Sequence, residues 1–179
     1  MKKVYLIIGA LMLLVLSSCS STQSLQEYYV DNSENPNFIS FDVSTSILNL
    51  DKANLSTTQR EALGPLRKLN ILAFKKTTDN IADYKVEKAN VKAILKNEKF
   101  IELMKMNTSY GKATVKYIGD EDAIDEVIIY GDSKDKGFAL IRVLGNNMNP
   151  ANMIQLLQAI QKSGYKGEGL DKLADFFKE

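Results

Sequence analysis

The chain has 179 residues, 23 basic and 22 acidic side chains, a single cysteine, and neither histidine nor tryptophan. These counts exclude histidine-based acid–base catalysis, histidine metal sites and a disulfide within the chain. The near-balance of charge offers no basic surface for nucleic acid, and no nucleic-acid partner is expected.

The first elements are a leader. Lys2 and Lys3 precede thirteen apolar residues, Val4 to Leu16. As a helix this run spans about 20 Å, short of the roughly 30 Å hydrocarbon core of a bilayer and right for a signal h-region. Leu16-Ser17-Ser18-Cys19 follows, and its small residues give a peptidase access to the backbone. The stretch resembles the lipobox of bacterial lipoproteins. That resemblance implies a signal peptide over residues 1–18, cleavage between Ser18 and Cys19, and lipid attachment at Cys19. The alternative is a signal anchor with an incidental cysteine. With Cys19 acylated no free thiol remains, and the balance without Lys2 and Lys3 is 21 basic to 22 acidic. Residues 19–36 are polar and read as the lipidated N-terminus and a flexible tether. Tyr28 and Tyr29 fall within that stretch as linker residues, with docking on a partner or on the domain as the alternative. Residues 37–179 read as one α+β domain.

Phe38-Ile-Ser-Phe-Asp-Val43 is aromatic and β-branched, a strand. Ser44 to Leu50 suggests a short helix. Ser56-Thr-Thr-Gln59 is a capping-box signal for a helix of about ten residues, ending near Gly64-Pro65. Lys68 to Lys75 is the second strand. From Val86 to Met106 there is no glycine or proline and much Lys, Glu and Ala; two helices, or one kinked near Asn97-Glu98, are expected. Lys112 to Ile118, Glu126 to Tyr130 and Phe138 to Leu144 form an antiparallel meander. Asn149-Pro150 opens a helix with the stripe Met153, Ile154, Leu157 and Ile160, and a last helix runs from Leu170 to Lys178. The order β-α-α-β-α-β-β-β-α-α predicts an α+β fold: a mostly antiparallel sheet of about five strands with helices packed mainly on one face.

The strands and helix of residues 38–75, the meander ending in Phe138-Ala-Leu-Ile-Arg-Val-Leu-Gly145, and the helix after Asn149-Pro150 together resemble the DUF4252 family. That resemblance implies an envelope lipoprotein of the Bacteroidetes type with no established activity, and it carries over no catalytic residues.

Little chemistry stands out. No glycine-rich phosphate loop follows a strand. Asp120, Glu121, Asp122, Asp125 and Glu126 are the one dense acidic cluster. Asp120, Glu121 and Asp122 are candidate calcium ligands, against the plainer reading of a solvated hairpin turn without EF-hand spacing. Met104 and Met106 read as core and loop filler rather than a copper site. No cofactor and no catalytic residue is expected. The favoured reading is a non-enzymatic binding or protein-interaction module, held to the membrane through acylated Cys19 and facing an envelope protein partner. The alternatives are an accessory or regulatory protein of an envelope stress pathway and a hydrolase using carboxylates only. The first acid after Cys19 is Glu27, which favours the periplasmic face of the outer membrane over the cell surface, where an early acidic run is the family habit.

Overall fold

The computed structural model describes residues 23–44, 55–108, 111–120 and 122–152. The leader, Ser18, Cys19, the helix expected after Ser44, Glu121 and the two C-terminal helices lie outside these residues, apart from their first turn at Pro150–Asn152.

The first described element falls where a tether was expected. Leu25–Asn32 is helix α1, opened by a reciprocal cap: Ser24 Oγ accepts from the Glu27 amide (3.2 Å), and the Glu27 carboxylate accepts from the Ser24 amide (2.7 Å). Leu25, Tyr28, Tyr29 and Asn32 are buried, at the i, i+3, i+4, i+7 spacing of one helix face. The flexible tether therefore does not reach residue 36. Four buried side chains, two of them tyrosines, outweigh the polar composition of the remaining positions.

Strand β1 (Phe38–Ser44), helix α2 (Thr57–Leu63), strand β2 (Leu66–Lys75) and helix α3 (Ile81–Ile94) follow. Ser56 and Gln59 form the expected capping box. Pro65, which has no amide proton to continue the ladder, stands between α2 and β2. Asn80 precedes α3, its side chain tied to the Thr77 amide, the Lys75 carbonyl and Asn37.

After α3 the chain departs from expectation. Ile101–Thr108 is a strand, β3, rather than a second helix. It pairs with β4 (Gly111–Asp120), followed by β5 (Ala123–Ser133) and β6 (Gly137–Met148). The sheet thus has six strands, all neighbours antiparallel, in the order β1-β2-β6-β5-β4-β3. The meander strands run further than their apolar cores suggested. Gly119, at φ +127°, sits at a register shift between β4 and β5, where a Cβ would lie 2.6 Å from the Ala123 carbonyl oxygen. That bulge lets both strands continue to a tight turn.

Each face of the sheet carries its own core. On one, α1 and α3 cover Phe38, Leu72, Phe74, Ile128, Phe138 and Leu140. Phe74 and Phe138 stack at 5.6 Å, and Phe38 meets Phe74 edge-on at 5.1 Å. On the other, Leu63 and Ala62 of α2 pack with Ile71, Leu69, Val127, Val143 and Met148. Among the described helices, α1 and the longer α3 back one face and the short α2 the other. The continuous apolar run of β2, buried from Leu69 to Phe74, is what a central strand covered on both sides requires.

Candidate functional site

On the α1 side of the sheet the aromatic rows give way to a polar one. Antiparallel register places Asp42 of β1 opposite Asn70 of β2, and Asn70 opposite Arg142 of β6. These side chains lie beyond the reach of the aromatic core, under the C-terminal half of α1. Together with Lys68, Ser40, Leu144 and residues of α1 they line a cleft of about 610 Å³.

Its floor is a fixed ion pair. Arg142 Nε and Nη2 donate to the two Glu126 carboxylate oxygens at 2.6 and 2.9 Å, a bidentate fork with side chains only 10% and 13% exposed. The Arg142 guanidinium also lies 5.4 Å from the centre of the Tyr29 ring, within cation–π range. Tyr29 Oη donates to the Leu140 carbonyl at 2.6 Å, which ties α1 to a central strand. Burial by itself would lower the Arg142 pKa; the hydrogen bonds and charge of Glu126 outweigh it and hold it above its ordinary value. Burial pushes the Tyr29 hydroxyl well above the usual tyrosine range.

The rim is wetter. Lys68 Nζ and Asp42 Oδ2 lie 2.5 Å apart with side chains 44% and 53% exposed, and Asn70 donates to the other Asp42 oxygen. The cleft thus presents a lysine and a carboxylate to an incoming group, above a floor whose charges are already neutralised. Exposed Val30 supplies apolar wall. Arg142 and Tyr29 keep their protons through the neutral range, so the arrangement suits recognition of a mixed polar and apolar surface more than proton transfer.

Sequence reading missed these residues, although two signals were present. Asn70 and Arg142 are the polar intruders in otherwise apolar central strands, and a polar side chain there needs a partner. Ser24 and Glu27 spell a capping box three residues apart. The acidic cluster is dispersed by the strand: Glu126 turns to Arg142, whereas Asp125 is exposed on the opposite side of β5. Asp120 and Asp122 stay exposed at the β4–β5 turn, and among the described residues no three acidic, cysteine or histidine side chains come together as metal ligands. Met104 packs partly buried against the α2-side core and Met106 is 37% exposed. No described helix is long and apolar enough to cross a membrane.

A family model described as a domain of unknown function, DUF4252, matches residues 28–156. The match takes in Tyr28 and Tyr29 of α1 together with the whole described sheet. No curated protein and no solved structure matches the chain significantly.

Proposed function

The chain belongs to the DUF4252 family, and on that footing we propose that it is a lipid-anchored envelope protein that acts by binding, with the cleft under α1 as its recognition site. The observation that carries the reading is the division of labour in the cleft. The buried Arg142–Glu126 pair has its charges already matched, while the half-exposed Lys68–Asp42 pair stands at the mouth, with buried Asn70 bonded to Asp42 beneath it. A preformed polar rim over a fixed floor favours affinity through shape and charge, since little side-chain freedom remains to be lost on binding.

The leader and Cys19 support the anchor, and the late first acid, Glu27, favours the periplasmic leaflet of the outer membrane. Intact mass of the mature protein tests the anchor: residues 1–18 lost and acyl mass gained are expected, and an unmodified Cys19 refutes it. The cleft is tested by comparing the envelope proteins captured by the unchanged chain and by Lys68→Glu, which reverses charge at an exposed position. Loss of specific partners from the variant supports the site. The same partners at the same yield, or turnover of a hydrolase substrate by the unchanged protein, refutes it.

A further inference from the structure

The two edges of the sheet are finished differently. Edge strands expose unpaired amides and carbonyls, and proteins usually blunt them with charge, proline or a bulge. β3 has such guards: its pairing with β4 shifts between Glu102 and Met104, and Lys105 and Glu102 form an exposed ion pair at 2.9 Å. β1 has almost none. It pairs with β2 without a shift from Phe38 opposite Phe74 to Ser44 opposite Lys68, and Asp42 is its one charged residue.

The direction of its main chain follows from one bond. The Asn37 carbonyl accepts from the Lys75 amide at 3.0 Å, so odd-numbered residues of this strand turn their main-chain groups toward β2 and even-numbered ones turn outward. The Phe38 amide is already used by the Asn35 carbonyl. Ser40 and Asp42, both exposed, present their amides and carbonyls to the open side.

We propose that β1 is a dimerisation edge, taken by the β1 strand of a second copy running antiparallel about Phe41. In that register Ser40 faces Asp42 of the other copy and exchanges two hydrogen bonds with it on each side of the axis. On the α2-side face Ile39 meets Val43 of the other copy and Phe41 meets its own equivalent. These are aliphatic and aromatic cross-strand pairs, and Ile39 and Phe41 are now only half-buried. The neighbouring registers are poorer. Centring on Asp42 opposes two carboxylates, and centring on Ser40 pairs only residues 38–42 before Pro36 intervenes. Self-complementarity of one surface is the condition for a closed two-fold dimer. The axis stands normal to the sheet, so both α1 helices lie on the same face of the dimer.

Cross-linking in membranes of cells expressing the full chain tests the register. In the otherwise unchanged chain, whose one cysteine thiol the lipid occupies on the reading above, Phe41→Cys is expected to form a disulfide-linked dimer on oxidation, since facing residues of a non-hydrogen-bonded pair have Cα atoms about 4.5 Å apart, within disulfide reach. Met104→Cys on the opposite edge is expected to stay monomeric. Co-expressed Ile39→Cys and Val43→Cys chains are expected to link to each other and not to themselves. Ser40→Pro added to Phe41→Cys removes an outward amide and leaves the β1–β2 ladder intact. It is expected to lower cross-linking about tenfold, the effect of losing two symmetry-related hydrogen bonds. Absence of the Phe41→Cys dimer in a protease-resistant chain overturns the proposal. So do equal cross-linking at Met104→Cys and an adduct with a different polypeptide, which would give the edge to another partner. Because Phe41→Cys leaves Lys68 untouched, failure here is separable from failure of the cleft.

Discussion

Replacing Glu126 by leucine leaves the Arg142 guanidinium, itself 8% exposed, without its counter-charge. Two hydrogen bonds of 2.6 and 2.9 Å are lost, and with 10% and 13% side-chain exposure solvent can repay little of the cost. Breaking one partner of a buried pair costs about 3–5 kcal/mol. For a domain of this size, each kcal/mol lowers the midpoint by about 2–4 °C, so a fall of about 6–20 °C is expected. Glu126→Leu with Arg142→Met removes both charges and is expected to recover to within about 1 kcal/mol of the unchanged protein. Urea denaturation of the two single variants and the double variant gives the coupling directly. A single-variant loss under about 1 kcal/mol, or strictly additive losses in the double, would show that the pair is solvated and that the floor of the cleft is not fixed.

Other consequences follow from the same packing. Tyr28 is 1% exposed, so Tyr28→Ala is expected to cost about 3–5 kcal/mol in denaturant titrations; a loss near zero would return α1 to the status of a linker. Tyr130 Oη is buried with no hydrogen-bond partner among the described residues. Tyr130→Phe removes an unsatisfied hydroxyl and is expected to raise stability by about 1 kcal/mol, and a clear loss would reveal a missing partner. Burial holds Tyr28, Tyr29 and Tyr130 protonated above the ordinary value of 10.0, with Glu87 adding to the effect at Tyr28. Unfolded tyrosines ionise near pH 10, so this contribution is complete below that pH and is withdrawn as pH rises beyond it, by about 1.4 kcal/mol per unit for each ring. Midpoints recorded from pH 8 to pH 11 should fall steeply only above 10, and less steeply in Tyr130→Phe; a flat profile refutes the assignment.

The α+β class, the capping box at Ser56 and the antiparallel meander were legible because each rests on local pattern. β3 was not. The bulge between Glu102 and Met104 interrupts the alternation of Ile101-Glu-Leu-Met, and its Lys and Glu content imitates a helix. α1 hid behind its polar residues, since only four of its eight positions are buried. The cleft could not be seen in the sequence for a different reason. Its parts come from residues 26–42, 68–70 and 126–144, and only the strand order β1-β2-β6-β5 brings them together. Glu126 shows the difference most plainly: in sequence it belongs to an acidic cluster, and in space it belongs to Arg142.

The docking of α1 also sets a mechanical scale. The cap of α1 is Ser24, so on the proposed reading a lipid on Cys19 would stand five residues from the first turn of a docked helix. Fully extended, five residues reach about 17 Å, little more than the depth of a lipid headgroup layer. The anchored protein would then ride against the bilayer, its tilt restricted and its encounters confined to a thin shell along the surface. If it is anchored in the periplasmic leaflet as proposed, a partner on the far side of that space would have to extend toward the shell itself.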